Sequence, residues 1–192
     1  MKKFLILLTL WCTVITANAS LITIDIEDKV YGIDDTLTAN IYFSNSNNAV
    51  HQLVSEFSFD LFSPDSLLAF QQVNFGDMLD VDMLTFFPSD REVDNTMLNS
   101  LVISEFSYAD AFDLSAAQNG LDKFLLASID FNVLALGLAG FSLSNVYFAD
   151  DLGLAHQVVV TQGASVQLGN QVSVPEPSTI VIFALAIMLL MK

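Results

Sequence analysis

The sequence predicts an all-β fold, a two-sheet antiparallel sandwich. Three observations predict it. Apolar and polar residues alternate over several short runs, turn residues separate those runs, and no stretch carries a convincing amphipathic helical pattern. The 192 residues suit one domain or slightly more.

The predicted strands follow in order. Leu37, Ala39, Ile41 and Phe43 alternate with Thr38, Asn40 and Tyr42. Phe57, Phe59 and Leu61 alternate with Ser58 and Asp60. Ala127, Ile129, Phe131 and Val133 alternate with Ser128, Asp130 and Asn132. Phe141 and Leu143 alternate with Ser142 and Ser144, and Val166 and Leu168 with Ser165 and Gln167. A period of two with one apolar face describes half-buried strands. Turn signals fall at Gly32 to Asp35, Ser44 to Asn48, Ser63 to Ser66, Gly76-Asp77, Pro88 to Asp94, Asn119-Gly120 and Gly163. Residues 112–118 could form a short helical turn.

Two end segments stand apart from this pattern. Lys2 and Lys3 precede an apolar run from Phe4 to Ile15, and Ala17-Asn18-Ala19 fits a small-x-small cleavage site. This reads as a secretory signal helix over 1–19, with the mature chain starting at Ser20. A transmembrane anchor would be longer and would lack the cleavage site. At the other end, Val174-Pro175-Glu176-Pro177-Ser178-Thr179 leads into twelve apolar residues, Ile180 to Met191, and then Lys192. The prolines stop a preceding strand, and Ser178 or Thr179 can cap a short hydrophobic helix. Twelve helical residues span about 18 Å, short of the roughly 30 Å hydrocarbon core. The tail therefore reads as a marginal or transient membrane anchor.

The domain between them is 20–173, long enough to bury a real core. It carries 21 acids against Lys29, Arg91 and Lys123, a formal charge of −18. Such a chain cannot neutralise phosphates, so nucleic acid is excluded as a partner. Cys12 and Trp11 both lie in the signal segment, which removes disulfides, thiol chemistry and a Trp sugar platform from the domain. Phe62, Phe86, Phe87 and Phe112 lie in loop-like contexts and suit either an exposed patch or loop anchors.

Catalysis finds little support. His51 and His156 sit in polar or turn-like contexts with no carboxylate device beside them. Among 21 acids a chance pair is easy to find, so their number is no argument for glycoside hydrolysis. Zinc lacks ligands, with two distant histidines and no cysteine. Calcium is the best metal candidate, at the closely spaced Asp77, Asp80 and Asp82, because hard cations take oxygen ligands. These acids, like Asp34-Asp35 and Asp150-Asp151, equally suit solvated turns, and none follows the EF-hand pattern.

The tail from Val174 through Ser178, with its hydrophobic stretch and basic end, resembles the PEP-CTERM sorting signal. The resemblance implies an exosortase-type processing enzyme as partner and removal of the tail during export. It also implies transient inner-membrane contact through the C-terminal helix. Carriers of such tails are Gram-negative bacteria that make exopolysaccharide. These tails usually end in several basic residues, and this one has only Lys192.

A second resemblance covers most of 21–169. Tyr31 to Leu37 sits between two strands, followed by Glu56 to Leu61, Ser66-Leu67-Leu68 and Val73 to Asp77. Leu126 to Val133, Gly140 to Leu143, Phe148-Ala149-Asp150 and a Val166 strand follow. This order is similar to a cohesin-like domain, and region 83–125 matches it least. The resemblance implies a nine-stranded jelly-roll sandwich, a fold shared with certain carbohydrate-binding modules. The expected protein is an exported, non-catalytic binding or structural module at the cell surface or in an exopolysaccharide matrix. As a protein-interaction domain it would take a dockerin-like partner. As a carbohydrate-binding module it would take extracellular polysaccharide. No cofactor is expected beyond calcium at the three aspartates.

Overall fold

The computed structural model describes residues 20–44, 53–81, 89–155 and 159–169. The expected signal helix, with Ala17 and Ala19, and the sorting tail, with Val174 to Ser178, lie outside the described residues. So do Asp82, His51, His156, Phe86 and Phe87.

The described residues form ten strands and one short helix. They are β1 (Ser20–Ile26), β2 (Thr36–Ser44), β3 (Glu56–Phe62), β4 (Leu68–Phe75), β5 (Ser89–Met97), β6 (Ser100–Ser107), α1 (Ala111–Gln118), β7 (Lys123–Val133), β8 (Gly137–Ala149), β9 (Val159–Gln162) and β10 (Ala164–Leu168). One sheet runs β4-β7-β2-β1-β9 and the other β10-β8-β3-β6-β5. The sandwich expected from the alternation is present. One pairing differs from the antiparallel expectation: β9 runs parallel to β1, with Ser20 opposite Val159. The chain then changes sheets at Gly163, and β10 pairs antiparallel with β8. A parallel pair needs a long crossover, and here the whole domain separates β1 from β9.

The core is built by the alternation itself. Leu37, Ala39, Ile41 and Phe43 on β2 face Phe57, Phe59 and Leu61 on β3 across the interior, and all are buried. Phenylalanines tie the sheets together. Phe43 of β2 lies 5.1 Å from Phe148 of β8, and Phe131 of β7 lies 5.7 Å from Phe141 of β8. Each such ring contributes about 1.5–3 kcal/mol through burial.

Of the stretch expected as a turn over Pro88 to Asp94, Pro88 lies outside the described residues and Ser89 to Asp94 instead open β5. The residues at 112–118 form a helix one residue longer, Ala111–Gln118, capped by Asp110, whose carboxylate accepts the Phe112 and Asp113 N–H groups at 2.9 and 3.0 Å. Phe62, expected in a loop, is the last residue of β3, and Phe112 lies on α1.

Apart from the β9–β10 crossing at Gly163, which lies partway along the sheets, the strand ends fall at one of two poles. One pole gathers the β1–β2 loop, the β3–β4 loop, the β5–β6 hairpin, the β7–β8 turn and the end of β10. Backbone hydrogen bonds stitch it: Asp34 N–H to Val133 O, Leu134 N–H to Leu67 O, Ser63 N–H to Asn99 O and Gly169 N–H to Tyr31 O. The other pole holds Ser20, α1 and the 150–155 turn.

Candidate functional site

The outer face of β8-β3-β6-β5 is the most distinctive surface. Cross-strand register lays it out in rows. Asp90, Phe106 and Glu56 form one row, and Glu92, Ser104, Ser58 and Tyr147 the next. Asp94, Val102, Asp60 and Ser144 follow, then Met97, Ser100, Phe62 and Ser142. Five carboxylates thus share a face that carries no lysine or arginine among the described residues. Phe62, Phe106 and Tyr147 are exposed among them, and Phe106 meets Tyr108 edge to face at 5.3 Å. Exposed aromatics within a polar surround are the composition of recognition surfaces. Asn145, at φ 48°, sits where β8 shifts register against β3, and its amide donates to Asp60 Oδ2 at 2.6 Å. Asp94 is held below the ordinary carboxylate range by the Thr96 N–H it accepts.

Behind this face, β5 and β6 turn an ionic cluster inward. Glu105 is 1% exposed, and its Oε1 accepts from Arg91 Nε and from Ser89 Oγ, each at 2.8 Å. Arg91 also reaches Asp80 Oδ2 at 3.0 Å and lies over the Phe75 ring. Burial pushes the Glu105 carboxyl above its ordinary range, against the opposing pull of Arg91 and Ser89. Asp80, one of the three expected calcium ligands, is therefore Arg91's partner, and Asp77 is exposed. Among the described residues, no group of three or more acids, histidines or cysteines is placed to hold a metal ion. The other acidic turns do structural work. Asp35 accepts the Gly32 N–H at 2.6 Å, and Asp150 accepts those of Leu152 and Leu154 at 3.0 and 2.8 Å.

The outer face of the other sheet is different in kind. Gln72, Asp130 and Thr38 share a row, as do Asn74, Ser128 and Asn40. Thr38 and Gln72 donate to Asp130 at 2.6 and 2.8 Å, and Ser128 donates to Asn40 at 2.6 Å. Tyr42 on this face carries the Lys123 ammonium 3.8 Å above its ring.

No family model and no curated protein matches the chain. Solved structures do. A cohesin module from a family 33 glycoside hydrolase of Clostridium perfringens matches with a TM-score of 0.60 and 10% identity, covering 81% of this chain and 100% of that one. A type II cohesin domain from the cellulosome of Acetivibrio cellulolyticus matches with a TM-score of 0.60 and 16% identity, covering 77% and 95%. A non-cellulosomal cohesin from Archaeoglobus fulgidus matches with a TM-score of 0.52 and 15% identity, covering 80% and 94%. The chain is similar to these modules in fold, and its domain is a cohesin-like β-sandwich.

Proposed function

We propose that the domain is a non-catalytic protein-interaction module, and that its partner docks on the outer face of β8-β3-β6-β5. The observation that carries this reading is the three exposed aromatics, Phe62, Phe106 and Tyr147, set among five carboxylates on one open sheet face. A dockerin-like protein is the natural partner class, since similar cohesins have been solved in complex with dockerins, one of them from the scaffoldin B of Acetivibrio cellulolyticus. We further propose that the protein is exported through residues 1–19 and sorted through 174–192 by an exosortase-type enzyme. Its destination would be the cell surface or exopolysaccharide matrix of a Gram-negative bacterium, with passing inner-membrane contact through the tail.

The experiment is a binding titration of the protein against dockerin-bearing proteins of the same secretome. Binding that is lost in Phe106→Asp and kept in Thr38→Ala supports the reading. Binding unaffected by Phe106→Asp overturns the placement, and no binding to any dockerin-bearing protein overturns the partner class.

The second reading is carbohydrate binding. The array of hydroxyl and amide groups on the β4-β7-β2-β1 face favours it, since such groups match sugar hydroxyls without demanding charge. Retardation in polysaccharide gels that is lost in Asn40→Ala would select it.

A further inference from the structure

One pole of the sandwich exposes several large apolar side chains. Residues 133–141, Val-Leu-Ala-Leu-Gly-Leu-Ala-Gly-Phe, contain no polar side chain. Within them Leu134, Leu136 and Leu138 are 47%, 55% and 66% exposed. Leu98, at the tip of the β5–β6 hairpin, is 82% exposed, and Val30 and Ile33 of the β1–β2 loop at the same pole are 64% and 56% exposed. Large apolar residues exposed at one end of a domain cost solubility, so they are kept where something covers them.

The direction of the chain says what covers this rim. Gly169, the last described residue, hydrogen-bonds Tyr31 at this pole, and a Cβ built on it would lie 3.1 Å from the Leu136 side chain. Residues 170–179 follow, a connector of at most about 35 Å, and then the twelve apolar residues Ile180 to Met191. Ser20 lies at the opposite pole. The chain thus leaves the described domain at the apolar rim.

We propose that this rim is a membrane-seating surface. Leu98, Leu134, Leu136 and Leu138, with Val30 and Ile33, lie in the headgroup boundary of a zwitterionic bilayer while residues 180–191 enter the lipid. Shallow insertion of apolar rim residues supplements a segment that anchors weakly alone. Charge selects the lipid. Glu27, Asp28, Asp34, Asp35 and Asp65 surround the rim, and its one cation, Lys29, is paired with Glu27 at 2.6 Å. Anionic headgroups are therefore repelled. The inference rests on the tail entering lipid and is independent of the partner reading.

The test uses the mature chain from Ser20 to Lys192, which contains no tryptophan. A reporter is placed at the rim, Leu136→Trp, or at the opposite pole, Phe112→Trp. Phe112 is 79% exposed, so both sites begin in water. The chains are mixed with phosphatidylcholine vesicles whose acyl chains are brominated near the headgroup. The expected result is flotation of both chains and quenching several-fold stronger at 136 than at 112. Equal quenching at both sites, or flotation without quenching at 136, overturns the seat while leaving the tail reading intact. No flotation overturns the tail reading and the seat with it. A reporter at 136 already shielded from iodide before vesicles are added shows the chain covering its own rim, and also overturns the proposal. As a second measurement, the combined Leu134→Ser, Leu136→Ser and Leu138→Ser chain should lose about tenfold or more in vesicle partitioning. Phe112→Ser should lose none, and partitioning unchanged in the triple variant overturns the seat.

Discussion

Glu105 and Arg91 form an ion pair turned into the sandwich, with Nε and Oε1 2.8 Å apart and the glutamate 1% exposed. They stand opposite each other on β6 and β5, in the inward-facing register. Arg91 lies two-thirds covered, so its charge offsets one of the two carboxylates while its outer edge stays hydrated. The Oε2 of Glu105 and the Oδ1 of Asp80 are buried and have no hydrogen-bond partner. An ionised carboxylate held this way is costly, and a proton on Glu105 lowers that cost.

This fixes a pH dependence. Burial raises the Glu105 carboxyl above its ordinary value of 4.5, and the charge of Asp80 raises it further. Between 4.5 and the raised native value, the folded chain binds more protons than the unfolded one. Stability therefore falls as pH rises through that window and is unaffected by this group below it. Mutual repulsion among the other acids has the same sign, so the comparison must be with Glu105→Gln. Urea melts across pH 4 to 7 should show a shallower decline for the variant. Identical slopes would mean that Glu105 titrates normally.

Gln118 is the second buried polar anchor. From the last turn of α1, its Oε1 accepts the Val54 N–H at 2.8 Å, and its Nε2 donates to Val54 O at 2.8 Å and to Met78 O at 3.0 Å. One side chain thereby pins the approach to β3 and the segment after β4 to the helix. Gln118→Ala leaves the Val54 amide unsatisfied inside the protein and should cost about 3 kcal/mol. Gln118→Glu keeps the acceptor but sets a carboxylate against two carbonyls, so its penalty should grow as pH rises. A denaturant series for both variants checks this. Equal penalties at pH 4 and pH 7 for Gln118→Glu would contradict it.

The legibility of the fold followed the purity of the alternation. β2, β3 and β7 place apolar residues at every inward position, from Leu37 to Phe43, Phe57 to Leu61 and Ala127 to Val133, and period two reads through. In β5 the inward positions are Ser89, Arg91 and Val93, while Asp90, Glu92 and Asp94 face out, so both faces look polar. The inward Glu105 and Ser107 blur β6 in the same way. The ionic cluster that organises this edge thus erased its strand signal. The candidate face was hidden with it, because Asp90, Glu92 and Asp94 fall in a stretch that reads as a turn. Phe106 and Tyr147 needed a known strand order and register to be placed on one face.

Asp65 and Asn99 close the tail-side pole by exchanging hydrogen bonds. The Asn99 N–H donates to Asp65 Oδ2 at 2.5 Å, and the Asp65 N–H donates to Asn99 Oδ1 at 2.9 Å. Asn99 also holds φ at 57°, in the left-handed region that asparagine tolerates. Asn99→Gly removes only the side-chain bond. Asn99→Ala removes that bond and adds backbone strain, and should cost about 1 kcal/mol more. Thermal melts of the pair separate the two contributions. Equal melting temperatures would show that the turn relaxes.

Gly163 is the point at which the chain leaves one sheet for the other, between β9 and β10. A Cβ built there lies 2.6 Å from the Phe141 carbonyl oxygen, a backbone atom that cannot swing aside. Phe141 pairs with Ala164 in the β8–β10 ladder and packs its ring against Phe131, so relief must come from moving β10. Gly163→Ala should therefore destabilise the domain by about 2 kcal/mol or more, within the range for overpacking. Gly140 provides the matched control, since it stands opposite Ser165 in the same ladder and a Cβ there meets nothing within 4 Å. Gly140→Ala should be neutral or stabilise by up to about 1 kcal/mol, through the reduced freedom of the unfolded chain. Hydrogen exchange should show faster amides across Ala164–Leu168 in Gly163→Ala alone. Protection unchanged in β10 would mean that the sheet crossing absorbs a methyl group, and that its geometry does not depend on glycine.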